Sequence, residues 1–92
     1  MKESEDLIRY ERILKVVANR RRLAILRYLK KVDDANVGDI SETISLSFKS
    51  TSRHLAVLLS EHLVEREQKS TFVFYSLAFN NQPILAKLLG IL

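Results

Sequence analysis

The stretch VGDISETISLSFKSTSRHLAVLLSEHL, residues 37–63, decides how this chain is read. Two apolar-periodic runs flank a turn at Leu46-Ser47. In the first, over residues 37–46, Val37, Ile40 and Ile44 recur at i, i+3 and i+7, one face of a helix. In the second, over residues 48–62, Thr51, Leu55, Leu58, Leu59 and His62 share a face, and Lys49, Ser50, Arg53 and His54 stand on the other. Ser47 precedes the second run, and its hydroxyl can accept from an N–H group that a helix start leaves unpaired. Asn36 is placed to cap the first run in the same way, with Asp39 in the first turn. Two helices joined by a short turn, the second opening basic and hydroxyl-rich, describe a helix-turn-helix.

Working outward toward the C-terminus, residues 63–68 and 71–77 read as two strands. Val64 and Arg66 alternate with Glu65 and Glu67, and Phe72, Phe74 and Ser76 face opposite Val73, Tyr75 and Leu77. A period of two in β-branched and aromatic residues predicts a hairpin. Its tip, Lys69-Ser70, lacks the glycine of a tight two-residue turn, so a longer or less regular loop is expected. Residues 78–92 read as a last helix, about residues 80–92. Asn80 or Asn81 caps it, Pro83 lies in its first turn, and Ile84, Leu85, Leu88, Leu89, Ile91 and Leu92 make it apolar. So apolar a helix is expected to be covered, by the first helix of its own chain and by a second copy, the alternative being that it folds only onto its own core.

Toward the N-terminus, residues 4–18 form a first helix with Ser4 as N-cap and Glu5 and Asp6 in the first turn. Leu7, Tyr10, Leu14 and Val17 make an apolar stripe, widened by Ile8 and Ile13. Asn19 is placed to cap the next helix, whose first turn is Arg20-Arg21-Arg22. Three cations there oppose the helix macrodipole, so they are expected to meet phosphate or an acid such as Glu11 or Asp39, or simply to be solvated. Leu23, Ala24, Ile25, Leu26, Tyr28 and Leu29 supply its inward side, and Lys30 and Lys31 suit its last turn. Residues 32–36 are a connector whose aspartates, Asp33 and Asp34, are expected to point away from DNA.

Ser47-Phe48-Lys49-Ser50-Thr51-Ser52-Arg53-His54-Leu55 resembles the recognition-helix signature of ArsR-type winged-helix repressors. Leu63-Val64-Glu65-Arg66 and Phe74-Tyr75-Ser76-Leu77 are similar to the wing of that family, and Asn19 to Leu26 to its second helix. The resemblance spans roughly residues 13–77. It implies a mostly α fold with a β-hairpin wing, a winged helix-turn-helix in the order α-α-α-α-β-β-α, as one DNA-binding domain over residues 1–92. It also implies a homodimer, with Leu7, Tyr10 and Leu14 of the first helix at the interface or else only covering the core; the apolarity of the last helix places Ile84, Leu85, Leu88, Leu89 and Leu92 at the same interface. Phe48 and Lys49 stand where the family often has glutamine and proline, and His62 where it usually has glycine, so His62 is expected to give a similar helix end, but strained or differently capped.

The DNA-facing set expected from this reading is Ser47, Phe48, Lys49, Ser50, Ser52, Arg53, His54 and Lys69, with Arg20 and Arg21. Arg53 is suited to pair with guanine O6 and N7. Ser47, Ser52 and Lys49 are suited to phosphates, and Ser50 to a base edge or phosphate. Phe48 packs on a thymine methyl or staples the helix start. His54 donates to a phosphate or is a structural, partly buried histidine. Lys69 is the wing's candidate contact.

Ninety-two residues suit one domain, burying about 60–65% of its unfolded surface, and a partner subunit would add to that. The net charge of +4 is uneven: residues 1–31 hold ten Lys/Arg against four Asp/Glu, residues 32–48 none against four, and residues 49–77 four against three. Such a basic bias fits a nucleic-acid partner as well as a solvated surface. No run approaches the roughly 20 apolar residues that span a bilayer, and the charged start lacks a signal peptide's apolar core, so no membrane partner and a cytoplasmic location are expected. No phosphate loop, paired catalytic carboxylates or nucleophile elbow appears, and no enzyme activity or cofactor is expected. Many members of the family this sequence resembles sense metals through cysteines near the third helix or carboxylate-histidine sets on the last. This chain has no cysteine, and residues 78–92 no Asp, Glu or His, so no metal site is expected. The regulator then answers some other effector or none. The sequence thus predicts a sequence-specific DNA-binding regulator, a repressor in the simplest case; the alternative is a winged-helix protein-interaction module in a larger assembly.

Overall fold

In the computed structural model, which describes residues 2–78 and 83–92 and side chains from residue 4 onward, the chain runs α1 (Lys2–Val17), α2 (Arg20–Lys31), β1 (Ala35–Asn36), α3 (Val37–Ile44), α4 (Phe48–Ser60), β2 (Val64–Lys69), β3 (Phe72–Leu77) and α5 (Pro83–Ile91). The helix starts follow local chemistry. Asn19 accepts from the N–H groups of Arg21 and Arg22, Asn36 from Asp39, and Ser47 from Ser50. Ser4 caps nothing: α1 already begins at Lys2, so Ser4 lies inside its first turn.

Both helices of the helix-turn-helix end alike, and earlier than the apolar periodicity suggests. Ser45 and His62 take left-handed backbone, with φ of 56° and 58°. Around Ser45, the Leu46 N–H donates to Ser41 O and the Ser45 N–H to Glu42 O. Around His62, the Leu63 N–H donates to Leu58 O and the His62 N–H to Leu59 O. This is the Schellman closure that glycine usually makes. His62 keeps that closure with a left-handed backbone, and itself leaves the apolar face of α4 to lie exposed beyond it.

The core forms where these helices meet the sheet. Ile25, Leu26 and Leu29 of α2, Ile40 of α3, and Leu55 and Leu58 of α4 are buried, with Ile13 and Val17 of α1, Leu63, Val64, Tyr75 and Leu77. Arg12 of α1 pairs with Glu61 just beyond α4 at 3.6 Å.

Three features depart from the expected layout. First, the connector contains a short strand: β1 pairs antiparallel with β3, Ala35 opposite Tyr75 and Asn36 opposite Phe74, making a three-stranded sheet in the order β1-β3-β2. Second, the wing turns tightly. Lys69 pairs with Phe72 across a two-residue turn, Ser70-Thr71, in which Ser70 supplies the positive φ that glycine would have. Third, α5 packs on α2, not closely on α1, and the Lys30 ammonium donates to the Leu89 carbonyl at 2.6 Å. Pro83 opens α5 as expected, and the proposed caps Asn80 and Asn81 lie outside the described residues. Among the described residues no helix is long and apolar enough to cross a membrane.

Candidate DNA interface

The opening turns of α4 are held from beneath and open above. Thr51, Leu55 and Leu58 are buried, which fixes the opposite side of the helix outward. On that side Lys49 and Arg53 are exposed one turn apart, Ser50, Ser52 and His54 are half-buried, and Ser47 is exposed. Ser47 Oγ accepts from the Ser50 N–H at 3.1 Å, which leaves its own hydroxyl hydrogen to donate elsewhere. Phe48 is 63% exposed, and with Val37, Phe72 and Val73 it borders an apolar hollow between α3 and the wing.

The start of α2 lies against the same face. Arg20 and Arg21 are exposed. Arg22 is half-buried and turned inward, its Nε donating to His54 Nδ1 at 3.3 Å and its Nη1 to the Val16 carbonyl at 3.0 Å. Glu11, one acid suggested as a partner for these arginines, pairs with Lys15 at 3.9 Å. Burial, then the positive charges of Arg22, Arg21 and Arg53, push the His54 imidazole below its ordinary pKa. These cations from two helices form one positive surface suited to a polyanion. The sequence singled out Arg20 and Arg21 and left Arg22 out of the site; no periodic signal joins Arg22 to a histidine 32 positions away.

Lys69 is differently engaged. Its ammonium sits 2.8 Å from Asp34 and 3.5 Å from Glu67, and 5.2 Å from the Phe74 ring centroid. Hydrogen bonding to Asp34 and the charges of Asp34 and Glu67 raise its pKa. With its charge answered by two carboxylates, Lys69 fastens the wing to the connector. Asp34, expected only to face away from DNA, is the anchor.

Elsewhere, α1 and α5 enclose an open apolar groove lined by Tyr10, Leu14, Pro83, Ile84, Lys87, Leu88 and Ile91. Leu7 is 65%, Leu14 52% and Ile91 82% exposed, and Leu88, Leu89 and Leu92 are half-buried. Leu85 departs from the expected interface set: it is turned into the protomer's own core, only 3% exposed, and has no surface to offer a partner. Among the described residues no group of three or more His, Asp or Glu side chains is placed to hold a metal ion.

Residues 19–66, the span from the cap of α2 into β2, match the family model described as bacterial regulatory protein, arsR family. The chain belongs to the ArsR family. It is 36% identical over 77 residues to the transcriptional activator HlyU of Vibrio cholerae, which covers 84% of this chain and 70% of that protein. It is 33% identical over 75 residues to the arsenical resistance operon repressor of Bacillus subtilis, covering 82% of this chain and 71% of the relative. The solved homodimeric winged helix-turn-helix DNA-binding domain of Mb0332 from Mycobacterium bovis superposes with a TM-score of 0.81 at 28% identity, covering 97% of this chain and 79% of that one. This ArsR-family chain is therefore a transcriptional regulator built on a DNA-binding winged helix, and its relatives are regulators, not enzymes.

Proposed function

We propose that the protein is a homodimeric, sequence-specific repressor that inserts α4 of each protomer into successive major grooves of a pseudo-palindromic site. The observation that carries this reading is the outward face of α4, where Lys49 and Arg53 are exposed on a helix whose other side is locked into the core. Arg53 reads a guanine edge, and Lys49, Ser47, Ser50 and Ser52 hold phosphate and register. Arg20 and Arg21 grip the backbone beside α4, and Phe48 offers an apolar edge to a thymine methyl. The α1–α5 groove, with Leu7, Tyr10, Leu14, Ile84, Leu88, Leu89 and Leu92, seats the second copy; the homodimeric state of the Mycobacterium bovis domain supports a two-copy assembly. Repression follows from occupying DNA that polymerase needs, without a metal-sensing step.

The test is selection of bound duplexes from a random pool, followed by the mass of the complex. Two protomers on half-sites about 10–10.5 base pairs apart are expected. One protomer per site, or no enriched sequence, would refute the proposal.

A further inference from the structure

Arg22 sits in a row of three arginines but does different work from its neighbours. Its guanidinium bridges three helices: it belongs to α2, its Nη1 donates to Val16 O near the end of α1, and its Nε donates to Nδ1 of His54 on α4. Guanidinium offers only donors and does not give up its charge. The lone pair in that contact must therefore be the imidazole's. An imidazole that accepts at Nδ1 while neutral carries its proton on Nε2.

We propose that Arg22 is a positioning residue that locks His54 in its neutral Nε2–H form, so that His54 grips a DNA phosphate as an oriented neutral donor and not as a cation. The inference rests on reading α4 as the DNA face. The groups around His54 are consistent with it. Arg21 and Arg22 of α2 and Arg53 of α4 all disfavour a further positive charge on the ring, and burial acts the same way. From α3, also packed on α4, the acids Asp39 and Glu42 are exposed, and Arg12 of α1 is paired with Glu61 at the far end of α4. Arg22 also ties α1, which borders the apolar groove, directly to the recognition helix, so its loss changes the ring's setting as well as its proton.

A neutral donor differs measurably from a cationic one. Cations on phosphate release counterions and steepen the salt dependence of binding, whereas a neutral donor does not. His54→Ala should weaken binding to the duplex selected from the random pool about tenfold, as for one hydrogen bond to a charged group, with the salt slope unchanged. His54→Gln, whose amide nitrogen stands near the Nε2 position, should recover part of that loss. Nitrogen NMR of the free wild-type protein near neutral pH should show His54 protonated at Nε2 alone. In Arg22→Lys, a milder change that keeps a cation, the tautomers should mix and the titration midpoint of His54 should rise. An Nδ1–H or doubly protonated His54 in the free protein overturns the inference while leaving DNA binding intact. So does undiminished affinity in His54→Ala, or a salt slope smaller by about one, the mark of a lost cation. Failure of the wild-type protein to bind DNA at all would overturn the reading of α4 and this inference with it.

Discussion

Lys69 Nζ donates to Asp34 Oδ2 across 2.8 Å, fastening the wing to the segment that leads into β1. The contact spans 35 positions and reaches from the β2 edge past Phe74 of β3 to the segment before β1. It also gives the wing's one lysine a partner within the chain, although its place in sequence suits a DNA contact. Lys69→Ala should therefore leave the salt slope of DNA binding unchanged, whereas Lys49→Ala should reduce it by about one. Equal reductions in salt titrations of both variants would show that Lys69 leaves Asp34 for a phosphate.

A second copy filling the apolar groove between α1 and α5, as proposed, predicts how association is broken. Leu14 lines it and is 52% exposed, so a carboxylate there is harmless to a monomer but would be buried in a dimer. Leu14→Glu should sediment as a single chain while keeping its helical circular dichroism. Retention of the dimer by this variant would place the interface elsewhere.

Thr51 is fully buried under α4, and its hydroxyl has no hydrogen-bond partner among the described residues. An unpaired buried hydroxyl costs roughly 1–3 kcal/mol. Thr51→Val keeps the shape and removes the polar atom, so chemical denaturation should show a gain of about 1 kcal/mol or more. A loss on that substitution would mean the hydroxyl is paired in solution.

His54 makes stability depend on pH. Its pKa in the folded protein lies below the ordinary histidine value of about 6.5, through burial and then Arg22, Arg21 and Arg53. Between the two values the unfolded chain holds more proton than the folded one, so stability rises with pH there. The contribution is complete above about pH 6.5 and is lost as pH falls through that window. Denaturation midpoints between about pH 5 and 8 should fall on acidification, and His54→Gln should flatten the dependence. An equal slope in the variant would assign the effect to other groups.

What could be read from the sequence was what is local. Asn19, Asn36 and Ser47 each accept from an N–H two or three residues on, so their capping roles lie within one turn. The apolar spacing of Val37, Ile40 and Ile44 and of Thr51, Leu55 and Leu58 likewise reports a helical face directly, and the alternation in β3 puts Tyr75 and Leu77 on one face, which the structure shows to be the buried one. The features that escaped are pairings between distant residues. β1 is two residues long, too short for a period, and exists because Ala35 and Asn36 meet Tyr75 and Phe74. Arg22 reaches His54 and Lys69 reaches Asp34 with no pattern to announce either. In α5 nearly every residue is apolar, so periodicity could not say that Leu85 turns inward while Ile91 stays 82% exposed.

The most direct test of the central claim is the affinity of the wild-type protein and of Arg53→Ala for the selected duplex across a salt series. If α4 carries its cations onto DNA, wild-type affinity should fall about 10³–10⁵-fold between roughly 50 and 200 mM salt, given about 6–10 phosphate contacts. Arg53→Ala should lose about 1–3 kcal/mol and relax the preference at one base pair of each half-site. Salt-independent binding, or unchanged sequence preference in Arg53→Ala, would contradict the account.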